Sequence, residues 1–201
     1  MGVLDFLERA QSLKRIPRSG WISRGVRLDH VESVAEHTFS TSVIAMILAE
    51  LLMEQGERVD ELKVLKMALL HDIGESLTFD IDRRHVEEFG ELGRRLKVKI
   101  EAKAIEKVLS ELSPRKSSRE YQKMLTKELL EGKTIESKIV NAADRLDLLL
   151  QTIDYEKVGY SKKVLESLWN DTESRLYALN LPAVSSLVEE LKRRRSSLTC
   201  K

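Results

Sequence analysis

Four histidines occur in the 201 residues: His30, His37, His71 and His85. His71 follows the apolar run Met67-Ala68-Leu69-Leu70 directly and precedes Asp72. An imidazole beside a carboxylate at the end of an apolar helix calls for a partner, because buried charge is costly unless paired or bound to metal. The C-terminal end of a helix carries partial negative charge and favours a cation, and side chains in its last turn can converge on one ion. His37 lies in the first turn of the preceding long helix, on a stripe with Thr41 and Ile44. Asp144, in Asn141-Ala142-Ala143-Asp144-Arg145, shares a stripe with Val140 and Leu148, where a free carboxylate is expensive. Together His37, His71, Asp72 and Asp144 form a metal set on three helices, and mixed N and O ligands suit Mn²⁺, Co²⁺, Zn²⁺ or Mg²⁺. Taken singly, each has a plainer reading. His37 and His71 read as hydrogen-bonded core histidines, Asp72 as a solvated helix-end residue, and Asp144 as a carboxylate neutralised by Arg145. The separations match no compact motif such as His-Glu-x-x-His, so the fold must bring the four together.

The elements that would do so are all helical. An amphipathic piece over about 4–14 places Leu4, Leu7 and Leu13 on one side, and a long irregular segment over about 15–32 follows, holding Pro17, Gly20 and Gly25. A loop of that length inside a compact domain is uncommon and often functional. Ser33 and Glu36 form a capping box that opens a helix reaching about Gln55, with Phe39, Val43, Met46, Ile47 and Leu51 facing the core and Gly56 ending it. Asp60 caps a helix over 61–72 that Gly74 terminates, and a polar turn over 75–83 leads into a long helix over about 84–112, closed by Ser113-Pro114. After a polar loop over 115–118 comes a helix over 121–130, ending at Gly132. Thr134 starts a strongly periodic helix in which Ile135, Ile139, Ala142, Leu146, Leu149 and Ile153 recur at three and four, and Gly159 ends it. Helices over about 161–178 and 183–195 finish the chain. No alternating β pattern and no internal repeat occurs, so the fold class is all-α.

The order His37, then His71-Asp72, then Asp144 on successive helices resembles the HD-domain metal-dependent phosphohydrolases. Ser33-Val34-Ala35-Glu36-His37, His71-Asp72-Ile73-Gly74-Glu75 with Asp80 following, and Asn141-Ala142-Ala143-Asp144 look like the 5′-deoxynucleotidase branch. Lys14-Arg15-Ile16-Pro17-Arg18-Ser19-Gly20-Trp21 resembles the N-terminal loop of that branch, although Ser19 and Gly20 intervene here where the bacterial relatives have tryptophan directly after arginine. The similarity covers roughly residues 4 to 180. It implies a single-domain helical bundle over 1–201, its core about 30–180 and its C-terminal helices 161–196 packed on that core. It further implies one divalent ion on His37, His71, Asp72 and Asp144, and Glu75 either near the attacking water or behind the metal ligands. Asp80 would lie at the substrate, a role for which Asp82 is the competitor by position. Arg18 would bind phosphate, and Trp21 would contact the sugar or restrict its 2′ position. From the residues alone, Arg18 also reads as a solvated loop arginine, Trp21 as a loop anchor to the core and Glu75 as a surface residue of its turn.

The resemblance implies removal of the 5′-phosphate from deoxyribo- or ribonucleoside monophosphates, by a homodimer. Two other outcomes remain open at this stage. One is an HD phosphohydrolase for nucleoside triphosphates, cyclic dinucleotides or alarmones; the other is a non-catalytic helical module stabilised by metal. His30 and His85 receive no role, and Arg193-Arg194-Arg195 reads as a solvated helix end. Composition sets the outer bounds. Hydrophobic residues are 42% and charged residues 33%, and 34 Lys and Arg balance 33 Asp and Glu for a net charge of +1. Neither sign dominates, which argues against a nucleic-acid polymer or a membrane surface as partner. The longest near-apolar stretch, Val43 to Met53, is interrupted by Glu50 and is short for a membrane span. The one cysteine, Cys200, excludes a disulfide within the chain and fits a reducing, cytoplasmic setting.

Overall fold

A computed structural model describes residues 2–112 and 116–198. Among them there is no β-strand; eleven α-helices are joined by short turns, and Pro17 and Ser33 form one isolated antiparallel bridge. In order the helices are α1 (Val3–Ser12), α2 (Ser19–Ile22), α3 (Val34–Glu54), α4 (Glu61–Leu70), α5 (Glu75–Thr78), α6 (Arg83–Glu88), α7 (Gly90–Ser110), α8 (Lys116–Lys123), α9 (Ile135–Lys157), α10 (Lys162–Tyr177) and α11 (Pro182–Ser197). A 3₁₀ turn over Leu13–Arg15 extends α1, and a π-helical stretch over Met124–Leu129 extends α8. Ser113-Pro114, expected to close a helix, and Cys200 lie outside the described residues.

The chain divides into two compact units. The first comprises Met1–Phe39 and Leu69–Lys133. Its organising element is α7, which packs against α5, α6 and α8, while α1 contacts α5 and α7. Its core holds Leu13, Ile16, Trp21, Val26, Ile73, Ile105, Val108, Leu109 and Leu125. The second unit comprises Ser40–Ala68 and Thr134–Lys201, with α9, α10 and α11 in mutual contact. There the expected α9 stripe is buried at Ile139, Ala142, Leu146, Leu149 and Ile153.

Helix starts follow their caps. Ser33 and Glu36 make both halves of the capping box: the Ser33 amide donates to Glu36 Oε2 at 2.6 Å and the Glu36 amide to Ser33 Oγ at 3.2 Å. Thr134 Oγ1 accepts from the Ser137 amide at 3.2 Å, and Asp60 Oδ1 from the Lys63 amide at 2.9 Å.

Several expectations need correction. The face of α3 expected in the core is largely the outer one: Phe39, Val43, Met46 and Ile47 are exposed, Phe39 by 70%, and Leu51 is half-buried. The buried face is Val34, His37, Thr38, Thr41, Ser42, Ala45, Leu48 and Leu52. Apolar residues surround this helix, so hydrophobicity alone does not select a face. One of these hydroxyls bonds back to the helix, Thr38 Oγ1 donating to the Val34 carbonyl at 2.8 Å. By length and composition the 21 residues of α3 would span a bilayer, yet it buries a polar stripe centred on His37 in the protein interior. Leu4 and Leu7 of α1 are exposed, while Leu13, in the 3₁₀ turn that follows, is buried.

The expected long helix over 84–112 is broken into α6 and α7 at Phe89–Gly90, where Gly90 takes a φ of +56° that a side chain disfavours. The irregular segment over 15–32 contains α2, the turn over 75–83 contains α5, and residues 116–118 of the expected loop belong to α8. Of the arginine triplet, Arg193 and Arg194 are exposed, whereas Arg195 is buried. The Arg195 Nη2 donates to Glu156 Oε1 at 2.6 Å and Glu166 Oε2 at 2.8 Å, and its guanidinium lies 4.3 Å from the Trp169 ring centre.

Candidate functional site

The α4 helix stops at Leu70, one residue before the His-Asp pair, so His71 and Asp72 lie in the turn that follows it rather than in its last turn. Leaving the helix frees their side chains from the 100° spacing of consecutive helical residues. Gly74 does not end α4 in a left-handed conformation; its φ is −62°. Its lack of a side chain serves close packing instead, since a Cβ there would stand 3.1 Å from Ile105 Cγ1 and 3.4 Å from Ala104 Cβ. The turn is thereby pressed onto α7, and Glu75 enters the interior as the first residue of α5.

Three expected ligands meet. His37 Nε2 and His71 Nε2 are 3.3 Å apart, and Asp72 Oδ2 is 3.1 Å from the latter and 3.7 Å from the former. The His37 side chain is fully enclosed, and those of His71 and Asp72 nearly so. Two ring nitrogens facing each other at this distance cannot both be protonated donors; both lone pairs can face a common cation. Two imidazole nitrogens and one carboxylate oxygen suit a borderline divalent ion, and His37, His71 and Asp72 meet the geometric condition for holding one. The donor set therefore fits a metal. Asp144 lies half-buried in α9, in the second unit.

The other expected residues are disposed around this cluster as follows. Arg18 Nη1 reaches the same Asp72 oxygen at 3.1 Å and stands 3.8 Å from Glu75 Oε1. The irregular segment that carries Arg18 is tied at its base: the Arg18 amide donates to the Glu32 carbonyl at 3.0 Å and the Val34 amide to the Ile16 carbonyl at 2.8 Å. Arg18 is thus anchored to Glu32, five residues before His37, by the same chain crossing that starts α3. Trp21 is 1% exposed, and its indole N–H donates to Glu32 Oε1 at 2.7 Å. It pins the loop from within. Asp80 Oδ2 accepts the Ser19 amide at 2.6 Å, joining its segment to the arginine loop. Asp82, its competitor by position, is buried and caps α6, accepting the Arg84 amide at 3.0 Å. Between α5 and Asp80 the chain reverses at Phe79, whose φ of 58° is unusual for a residue with a side chain. His85 is exposed, as expected, 3.6 Å from Asp82, and His30 is exposed as well.

The electrostatics separate two carboxyls three residues apart. Burial alone would raise the Asp72 carboxyl, but His71, Arg18 and His37 outweigh it and hold the group well below the usual carboxylate range. Glu75 goes the other way. Burial pushes its carboxyl well up, Asp72 and Asp80 add to that, and Arg18 and Lys97 only partly oppose it. Its Oε2 is buried without a hydrogen-bond partner. One carboxylate is built to stay charged beside cations and its neighbour to take up a proton, the arrangement expected of a ligand beside an acid–base group.

Three further residues at this site went unnoticed in the sequence: Glu32, Lys97 and Glu101. Lys97 and Glu101 sit one turn apart on the face of α7 that also carries Ala104 and Val108. Their signal was a charged i,i+4 pair in line with buried apolar positions, which a charge-rich helix conceals.

The HD-domain family profile matches residues 10–179. A Dictyostelium discoideum protein named 5′-deoxynucleotidase HDDC2 is 32% identical over 94% of this chain and 96% of its own length. The human protein of that name is 29% identical over 97% of this chain and 87% of its own. Among solved structures, a conserved hypothetical protein from Pyrococcus furiosus superposes with a TM-score of 0.79 at 32% identity, covering 94% of this chain and 99% of that one. An HD-domain phosphohydrolase from Listeria innocua, at 20% identity, shares the fold with a TM-score of 0.82 over 98% of this chain and 90% of its own.

Proposed function

Because the chain belongs to the HD-domain family, we propose that it is a divalent-metal-dependent phosphohydrolase that removes the 5′-phosphate from nucleoside 5′-monophosphates. One observation carries the reading: the metal-type triad and the Arg18 guanidinium converge on a single carboxylate oxygen, Asp72 Oδ2. The names of the relatives, 5′-deoxynucleotidase, supply the substrate class. A divalent ion held by His37, His71 and Asp72 would supply Lewis acidity and neutralise phosphoryl charge. Asp144 is retained as the fourth ligand on the strength of its Asn141-Ala142-Ala143-Asp144 motif.

The chain's own residues divide the remaining work. Arg18 offers a forked pair of N–H donors to two phosphate oxygens. Glu75, with its raised carboxyl, accepts the proton of the attacking water as the oxygen–phosphorus bond forms and the bond to the 5′-oxygen breaks. Asp80, fixed on the Ser19 amide, would lie at the sugar, and the proton that Glu75 takes from the water would pass to the departing 5′-oxygen, which leaves as the alcohol. Trp21 acts on the sugar through the loop it anchors. Phosphate release from the common ribo- and deoxyribonucleoside 5′-monophosphates, assayed with Mn²⁺, Co²⁺, Zn²⁺ and Mg²⁺, tests the reading. Chelation, His71→Ala, Asp72→Ala and Asp144→Ala should each abolish turnover. Full activity in chelated, metal-free protein would overturn the mechanism; hydrolysis of triphosphates or cyclic dinucleotides alone would overturn the substrate class.

The exposed stripe Phe39, Val43, Met46 and Ile47 on α3 is the surface we assign to a homodimer, since contiguous apolar faces seek cover. A single-species monomer in sedimentation at micromolar concentration would contradict it. We further propose a cytoplasmic location, since a chain with the single cysteine Cys200 fits a reducing compartment, and secretion of a tagged copy would refute that.

A further inference from the structure

Lys97 makes a contact unlike those of the other lysines and arginines along its helix. Its Nζ donates to the main-chain carbonyl of Ile81, sixteen residues away, at 2.7 Å, and pairs with Glu101 Oε1 at 3.1 Å. Both side chains are largely covered, at 24% and 29% exposure. The pairs of Glu91 with Arg94 and Arg95 on the same helix are open to solvent, and such pairs are worth little. Ile81 is the residue between Asp80, bonded to the Ser19 amide, and Asp82, the cap of α6. Three links therefore run from α7 to the metal-type cluster: Lys97 to Ile81, Asp80 to Ser19, and Arg18 to Asp72. The same lysine lies within electrostatic reach of Glu75, and its partner Glu101 within reach of Asp72 and Asp80. Four carboxyls, from Asp72, Glu75, Asp80 and Glu101, thus share two fixed cations, Arg18 and Lys97.

We propose that Lys97 is a positioning residue for hydrolysis: oriented by Glu101, its ammonium holds the Ile81 carbonyl, sets Asp80 against the arginine loop, and adds a fixed positive charge to an acidic site. This inference rests on the phosphohydrolase reading, and it carries a consequence that a purely structural role lacks. A fixed cation among carboxylates opposes a divalent ion, so removing it should leave metal binding as tight or tighter while catalysis declines.

The test uses the full chain and three variants, Lys97→Met, Lys97→Arg and Glu101→Gln. Turnover of a nucleoside monophosphate, Co²⁺ affinity from visible absorption, and thermal midpoint are measured for each. Lys97→Met should lower kcat by about 10–100-fold, the penalty of a small misplacement of catalytic groups, with an unchanged or lower Kd for Co²⁺. Lys97→Arg should recover most of the loss, and Glu101→Gln should show a smaller one. Unchanged kcat in Lys97→Met overturns the proposal, as does a joint loss of turnover, Co²⁺ affinity and thermal midpoint. Should Lys97→Met fail to fold, Glu101→Gln decides: wild-type kcat there overturns it. If the wild type hydrolyses no phosphate ester, the phosphohydrolase reading fails, while Co²⁺ binding still judges Lys97, since weaker binding in Lys97→Met contradicts the charge argument.

Discussion

Asp72 and Glu75 show how one turn of chain assigns opposite duties to the same functional group. Asp72 is surrounded by His71, Arg18 and His37 and stays ionised; Glu75 is buried, lies near other carboxylates, and resists ionisation. The second fact has a thermodynamic sign. A carboxyl raised in the folded state costs nothing below its ordinary value of 4.5 and increasingly destabilises the fold as pH rises toward its elevated one. Glu75→Gln removes that cost. In metal-stripped protein it should raise the thermal midpoint at neutral pH, and the gain should vanish below about pH 4, where the native carboxyl is protonated in both states. Turnover should fall at the same time. A lower midpoint at neutral pH would show that the ionised carboxylate is well accommodated after all. The ligand types were legible in the sequence because they interrupt apolar runs: His71-Asp72 directly after Leu70 is such an interruption. The role of Trp21 was not, because tryptophan in a loop serves equally as a contact or as an anchor until its burial is known.

At the scale of the helices, positions were easier to read than faces and breaks. Caps are local chemistry, so Ser33 with Glu36, Asp60 and Thr134 marked their helices correctly. The inner face of α3 escaped because burial there falls on His37, Thr38, Thr41 and Ser42 while large apolar residues look outward. The break between α6 and α7 escaped because Phe89-Gly90 within a charged run is a weak signal beside the helical residues around it. Gly74 stands where a helix terminator would, yet the close approach of Ile105 is what requires it. Its backbone is ordinary for alanine, so Gly74→Ala is a pure packing test. A Cβ at 3.1 Å from Ile105 Cγ1 is tighter than an ordinary contact, so Ile105 or the turn before α5 must give by a few tenths of an ångström. We expect a loss of about 1–3 kcal/mol in chemical unfolding, and a fall in kcat as Glu75 moves with the turn. Unchanged stability and turnover would mean that the interface yields freely.

For the molecule as a whole, a net charge of +1 conceals sharply uneven local balances. Around the metal-type cluster carboxylates outnumber fixed cations, as a divalent ion requires. In the second unit one buried arginine binds α11 to α9 and α10. Arg195 meets Glu156 and Glu166 and stacks on Trp169, where composition had indicated only a solvated basic end. A run of three like charges gives no hint of which one turns inward; that is set by the helix rotation and by acidic partners 29 and 39 residues away. Arg195→Ala strands Glu156, itself buried, and should destabilise the protein by about 3–5 kcal/mol. Arg195→Lys should recover little of this, because an ammonium neither forks across two carboxylates nor stacks on the indole. Urea unfolding measures both, and a cost below about 1 kcal/mol, typical of a surface pair, would refute the assignment.

The short crossing at Pro17 and Ser33 has a practical corollary. Because two main-chain bonds close the loop at its neck, the exposed tip near Leu28 and Asp29 is mechanically isolated from the residues that do the chemistry. Doubling the length of a flexible loop adds only about 0.6 kcal/mol of closure cost. The tip is thus a splice point: an epitope or a fluorescent reporter inserted there would ride outside the neck, leaving Arg18 and His37 in register.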